Sequence, residues 1–244
     1  MDERQQRTHI DLFSGIGGFA LAANAAGYST SVFVEQDDYC CRVLKRRWPT
    51  VPIIRDIREF DGAKWRGADL LTGGFPCQPF SQAGQRRGEQ DDRALWKEMF
   101  RVINEARPRW VLGENVPGII NMALDQVLSD LASAGYSTGT VIIPACAVNA
   151  PHRRSRCWIM AHASEQRLQG YGGVEGESEE RRQESGGHSG ESCRSGGGTF
   201  RESWLTESNL CRVAHGVPNR IHRLKALGNA IVPAVAYEII KQMD

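Results

Sequence analysis

Cys77 stands between two prolines in the run Gly73-Gly74-Phe75-Pro76-Cys77-Gln78-Pro79-Phe80-Ser81. Each ring fixes its own φ and restricts the residue before it, so the thiol is carried on backbone with little freedom. A lone cysteine is ordinarily a small core hydrophobe. Here the paired glycines, twin prolines and polar Gln and Ser neighbours suit a presented nucleophile better than packing. Glu114, in Glu114-Asn115-Val116-Pro117-Gly118, is a candidate acid to stand beside such a thiol. In His152-Arg153-Arg154-Ser155-Arg156, two arginines at i and i+2 share one side of an extended segment, so Arg154 and Arg156 can converge on one anionic or carbonyl-bearing ligand. Gly15-Ile16-Gly17-Gly18-Phe19-Ala20 sits where free backbone amides at a helix start would meet an anion or polar ligand. Glu35 follows Gly15 at the spacing where an acid accepts hydrogen bonds from ribose hydroxyls. The glycine pattern and acid fit a nicotinamide dinucleotide as well as S-adenosylmethionine.

These groups need a scaffold, and the hydrophobic pattern supplies one. Strand-like and helix-like stretches alternate through the first two thirds of the chain, the pattern of an α/β fold with a mostly parallel sheet and helices on both faces. Strands are expected over His9 to Phe13, Ser31 to Glu35, Ala68 to Thr72 and Trp110 to Gly113, with two more around Ser137 to Ile143 and Cys157 to Ala161. Each candidate group then follows or borders a strand, and open α/β sheets collect ligands at the carboxyl ends of their strands. Helices are expected from Phe19 to Ala26, from Asp37 to Arg47 before Pro49, and around Leu124 to Leu131. Leu95, Met99, Val102, Ile103 and Ala106 recur with helical spacing between Asp91-Asp92 and Pro108, and an apolar helix over Ile231 to Ile240 ends the sequence.

The sequence of 244 residues is long enough for one full domain with a small appendage. A net charge of +1 with 41% hydrophobic residues excludes an acidic disordered chain and a histone-like polycation. The basic residues comprise 25 Arg and 5 Lys, a bias toward the planar fork that pairs with phosphate. No apolar run approaches the ~18 residues of a membrane span, and MDERQQRTHI is no secretion signal, so a cytoplasmic protein is expected. Seven cysteines without C-x-x-C spacing argue against a disulfide framework and a zinc site. From Ser164 to Ser203, 10 Gly and 7 Ser in 40 residues predict a mobile surface segment. Asn209 to Lys225 then carries Arg212, Arg220, Arg223 and Lys225 and no acid.

In order, DLFSGIGGFALA, the Glu35 strand end, Asp56-Ile57, GGFPCQPFS, ENVPG, PHRRSR and LGNAIVP resemble the motif set of the DNA (cytosine-5) methyltransferases, in a short bacterial or phage form. The resemblance spans residues 9 to 162 and 216 to 240, and no dehydrogenase has a use for the Pro-Cys-Gln, Glu-Asn-Val and Arg-x-Arg elements together. It implies a Rossmann-like S-adenosylmethionine-dependent catalytic domain over 1–162, a small, poorly ordered target-recognition segment over 163–215, and a C-terminal motif and helix over 216–244 that pack back on the catalytic domain. It implies Cys77 as nucleophile, Glu114 as the acid at the cytosine ring, and Arg154 and Arg156 as binders of the base and its backbone. It assigns Phe13, Gly15, Ile16, Gly17, Gly18, Glu35, Asp56, Ile57, Pro76, Leu95 and Asn229 to the S-adenosylmethionine pocket. The expected activity is methylation of a flipped cytosine in double-stranded DNA by a monomer, with a restriction endonuclease as a companion. The alternatives are a tRNA cytosine-5 methyltransferase and a catalytically idle DNA-binding relative. The sequence departs from the family where His152 replaces Gln and in the shortness of the stretch between the R-x-R strand and the terminal motifs.

Overall fold

The computed structural model describes residues 6–76, 89–163 and 220–243. Cys77, most of the Phe75 to Asp92 loop and the Gly/Ser-rich stretch therefore lie outside the described residues.

Seven strands form one sheet: β1 (Arg7–Leu12), β2 (Tyr28–Val34), β3 (Ile53–Ile54), β4 (Leu70–Gly73), β5 (Trp110–Asn115), β6 (Tyr136–Ile143) and β7 (Arg156–Ala163), in the order β3-β2-β1-β4-β5-β7-β6. The first five are parallel to one another, while β7 runs antiparallel between β5 and β6. A parallel return needs a crossover of a dozen or more residues, usually a helix. The β6–β7 connection instead holds a one-turn helix, Ala145–Val148, and the two strands pair as a hairpin whose second arm takes the inner position. The sheet is thus parallel only through β5, a distinction that the hydrophobic pattern leaves open.

Alternate residues along the strands feed two cores. Leu71 and Val111 face Met99, Val102 and Ile103 of α3 (Glu89–Ala106) and Val127 and Leu131 of the helix Leu124–Ser133. Leu70 and Leu112 face Phe19, Ala22 and Ala23 of α1 (Gly18–Ala25) on the other side. Between Asp37 and Trp48 lies α2 (Asp38–Arg47), capped by Asp37 accepting from the Tyr39 and Cys40 amides and closed by Lys45, Arg46 and Arg47, whose charges suit a helix C-terminus. A short α4 (Ile119–Met122) leads into α5 (Leu124–Ser133). The expected acidic lead-in Asp91-Asp92 is already helical, since α3 begins at Glu89 and carboxylates are favoured in a first turn. The described end of the basic strip, from Arg220, lies in a helix, α6 (Arg220–Asn229), and the terminal helix starts later than its apolar run: α7 (Pro233–Ile240) has proline in its first turn and packs on α1.

A buried polar chain crosses this sheet. With the Asn24 amide nitrogen turned toward Thr30 Oγ1, its oxygen accepts from Trp48 Nε1 at 3.0 Å. Thr30 Oγ1 then donates to His9 Nδ1 at 3.0 Å, and His9 Nε2–H donates to Thr72 Oγ1 at 2.8 Å. Thr72 Oγ1 donates to Asp11 Oδ1 at 3.2 Å, and the Ala20 amide in the first turn of α1 favours the charged form of that carboxyl. Asp11 thereby serves the helix start that Gly17, with no side chain, cannot cap.

Burial pulls the His9 pKa down to about 3 and pushes that of Asp11 well above the carboxylate range. The two act on stability with opposite signs. Below pH 6.5 the unfolded His9 binds a proton that the folded ring refuses, so its contribution is full above pH 6.5 and drains away toward pH 3. Asp11 stabilises the fold as pH falls toward its unfolded value near 3.8. Urea unfolding of a His9→Gln chain between pH 7 and 4 should therefore lose less stability than the unaltered chain, or gain some. Parallel curves for the two proteins would refute the buried neutral ring.

Candidate active site

The strand register gathers the carboxyl ends that carry the candidate groups. Leu12 pairs with Val34 on one side and Gly73 on the other, and Gly73 pairs with Gly113. The next residues along each strand are Phe13, Glu35, Gly74 and Glu114, which all emerge on one edge. Between β1 and β4 the strand order reverses, the place where open α/β sheets leave a crevice for ligands.

The turn after β1 is wound tightly. Phe13, Gly15 and Gly17 have φ of 52°, 54° and 85°. Glu35 braces it: Oε2 accepts from the Gly15 amide and Oε1 from the Asp37 amide, both at 2.7 Å. Each oxygen keeps lone-pair capacity for a ligand hydroxyl. Asp56 accepts from the Arg58 amide at 2.9 Å, Ile57 is buried beneath it, Phe13 and Leu95 are half-buried, and Pro76 and Asn229 are exposed. Ile16 is half-buried at the crest of the turn.

Gly17 is a site where no other residue fits. A Cβ there would lie 2.5 Å from the Trp48 ring, in a left-handed backbone. Gly17→Ala should lower unfolding free energy by about 2–4 kcal/mol through backbone strain and overpacking. It should also weaken nucleotide-type ligands bound at the turn, and chemical denaturation with ligand titration checks both. Gly18 is as close to the C-terminal segment, with a Cβ falling 2.7 Å from Ile231. Motif reading passes over Trp48 and takes Ile231 only within LGNAIVP, because packing beneath a glycine leaves no spacing signal.

Glu114 ends β5 almost fully buried, 8% exposed. Its Oε1 accepts from Arg156 Nε at 2.8 Å, across the β5–β7 pairing. Its Oε2 lies 3.5 Å from where a Gly74 Cβ would stand, so the carboxyl rests over the glycine pair three residues before Cys77. Burial raises the Glu114 pKa, and the Arg156 and Arg154 charges pull it back only in part. A carboxyl held this way keeps its proton to higher pH than a free glutamate does, which suits a proton donor.

Asn115, to which sequence reading gave no role, holds the backbone that leads to the thiol. Its Nδ2 donates to Phe75 O at 2.9 Å and its Oδ1 accepts from the Val116 amide at 2.9 Å. Phe75 is further fixed by ring contact with Trp96, centroids 5.0 Å apart. Asn115→Ala should lower turnover about tenfold while leaving cofactor affinity alone, because the Phe75 carbonyl loses its buried donor. Steady-state kinetics against both substrates checks the split.

The two arginines part company. Arg156 takes Glu114, whereas Arg154 Nη2 donates to Gly228 O and Ala230 O, both at 2.7 Å. Four further thiols lie among the described residues. Cys40, Cys41 and Cys157 are buried, and burial raises their pKa values, that of Cys40 to about 12, while Cys146 is exposed. Among the described residues no helix is long and apolar enough to cross a membrane.

Comparison with known proteins bears on this geometry. The chain is 37% identical over 175 residues to the Type II methyltransferase M.AquIA of Picosynechococcus sp., covering 63% of this chain and 71% of the relative. It is 35% identical over 161 residues to M2.BsuMI of Bacillus subtilis, covering 62% of this chain but 41% of that protein. The chain thus spans less than half the length of relatives such as M2.BsuMI. Among solved structures, a DNA modification methyltransferase encoded within an E. coli prophage superposes with a TM-score of 0.57 at 25% identity, covering 64% of this chain and 47% of that one. The S. pombe Dnmt2 methyltransferase superposes at 0.55 with 24% identity over 64% of this chain and 51% of its own, a likeness of fold. The profile of the C-5 cytosine-specific DNA methylases matches residues 7–195, most of the chain, and with the ordered motifs and the Glu114–Arg156 edge in place this protein belongs to that family.

Proposed function

We propose that the chain transfers a methyl group from S-adenosylmethionine to carbon 5 of cytosine in double-stranded DNA. The observation that carries the reading is the buried Glu114–Arg156 pair resting over Gly74, on the same sheet edge as the braced Gly15–Gly18 turn. S-adenosylmethionine is the methyl donor of the family to which the chain belongs, and the turn fits it: Gly15 to Gly18 admit close backbone approach, Glu35 faces ribose hydroxyls, and Asp56 with Ile57 lies beyond for an adenine. Phe13, Ile16, Pro76, Leu95 and Asn229 complete the proposed pocket. When bound, it supplies an electrophilic methyl at a positively charged sulfur.

Carbon 5 of cytosine is a poor nucleophile until the ring is activated. The Cys77 thiolate adds to carbon 6, forming an S–C6 bond and moving an electron pair toward C5 and N3. Glu114 meets the charge at N3 by donating its proton, and Arg156 orients that carboxyl and lies beside the base. After methylation of C5, its proton leaves to a base in solution, the S–C6 bond breaks, N3 returns its proton to Glu114 and the thiolate is restored. A buried Glu114 is out of reach of a stacked base, so the cytosine is flipped from the duplex at a cost of a few kcal/mol. The Type II names of the relatives support a role in protecting sites cut by a restriction endonuclease, and a monomer acting in the cytoplasm completes the reading.

The test is incubation with methyl-labelled S-adenosylmethionine and either duplex DNA or tRNA. Label in DNA cytosine, with a covalent adduct on 5-fluorocytosine DNA, is the expected result. Label in tRNA alone would replace DNA as the substrate, and no label in either would leave a binding protein.

A further inference from the structure

Arg154 lies two residues from Arg156 but serves a different part of the molecule. Its backbone, φ 32°, sits in the left-handed region just before β7, and its guanidinium bonds the C-terminal segment where Arg156 bonds Glu114. Both carbonyls that it holds, Gly228 and Ala230, belong to the last turn of α6 and its exit, where a helix leaves carbonyls without partners and where a cation is favoured. Between them stands Asn229.

The rest of that segment is pinned as well. Lys225 Nζ bonds Asp37 Oδ2, the cap of α2, at 3.1 Å, and His222 stacks on Tyr39 with centroids 6.1 Å apart. Ile231 presses on Gly18, the first residue of α1. Residues 222–231 therefore run as a strap from the start of α2, past the arginine before β7, to Gly18 at the start of α1. Without Arg154, the carbonyls on both sides of Asn229 lose their donor, while the Lys225 and Ile231 contacts and the Glu114–Arg156 pair remain.

We propose that Arg154 is a positioning residue of the S-adenosylmethionine pocket: by holding the carbonyls on either side of Asn229 it sets the place of that side chain and thereby the affinity for cofactor. The inference rests on the cofactor site proposed above and departs from a role for Arg154 at the base.

Calorimetric titration of the full chain with S-adenosylmethionine, without DNA, tests it. Arg154→Ala and Asn229→Ala should each weaken binding about tenfold, and the double variant should be no weaker than either single one, since both remove the same contact. Duplex affinity measured by anisotropy should change less than threefold for Arg154→Ala. Arg154→Lys, which keeps a cation able to reach one carbonyl, should recover part of the cofactor affinity, and serves if the alanine variant fails to fold. Cofactor affinity within twofold of the unaltered chain in both Arg154 variants, or losses from Arg154 and Asn229 that simply add, overturns the proposal. Failure of the unaltered chain to bind S-adenosylmethionine would instead overturn the pocket itself, and the strap role with it.

Discussion

Replacing Cys77 with alanine is expected to lower methyl transfer to duplex DNA by at least about 10³-fold and to leave S-adenosylmethionine affinity within about twofold. The magnitude follows from the substrate. Without addition of sulfur at carbon 6, the cytosine ring has no means of making C5 electron-rich, and positioning alone does not supply it. Removing one nucleophile from a catalytic unit costs nearly as much as removing the unit. Retention of cofactor affinity follows from position, because among the described residues the Gly15–Gly18 turn is braced by Glu35 and Trp48. Single-turnover transfer of labelled methyl checks the first part, and cofactor titration of the same preparation the second. Activity within tenfold of the unaltered chain would remove the thiol from the mechanism.

Glu114→Gln should cost about 10²–10⁴-fold in turnover and change the shape of the pH profile. In the unaltered chain the rate rises as the thiol ionises, then falls as pH climbs through the raised Glu114 pKa and the proton needed at N3 is lost. Glutamine has no such proton to lose, so its profile should keep the acid limb and reach a plateau. The substitution also leaves Arg156 in a mostly buried place without its counter-charge, so a lower melting temperature is expected. Profiles are therefore compared below the melting point of the variant, and Glu114→Asp supplies a carboxyl of shorter reach as a second comparison. An alkaline limb that survives in the glutamine variant would assign that limb to another group.

The parts of the fold with local signals were legible beforehand. α2 shows a capping Asp37, a basic last turn and Pro49 beyond it, and α3 shows five apolar residues at helical spacing. α6 has no such signature. Ile221 and Leu227 are exposed, and the contacts that place it come from Arg154, Asp37 and Tyr39, all remote from it along the chain. The exchange of β6 and β7 was equally hidden, since an inner and an outer strand with similar patterns differ only in what lies beside them. For the arginine pair, alternation along a strand predicted a shared side, but that rule assumes extended backbone, and Arg154 is not extended.

From the order of residues alone came the inventory of the chemistry: a constrained thiol, an acid behind a strand, a glycine turn followed by an acid at the next strand end, and hence the family. These are local patterns, written in bonds between near neighbours. Only the folded chain decided which acid meets which base, that Glu114 takes Arg156 while Arg154 takes the strap, and that Asn115 steadies the approach to Cys77. Those choices depend on burial and on distances of about 3 Å between residues far apart in sequence, and such energies exist only once the sheet has brought its strand ends together.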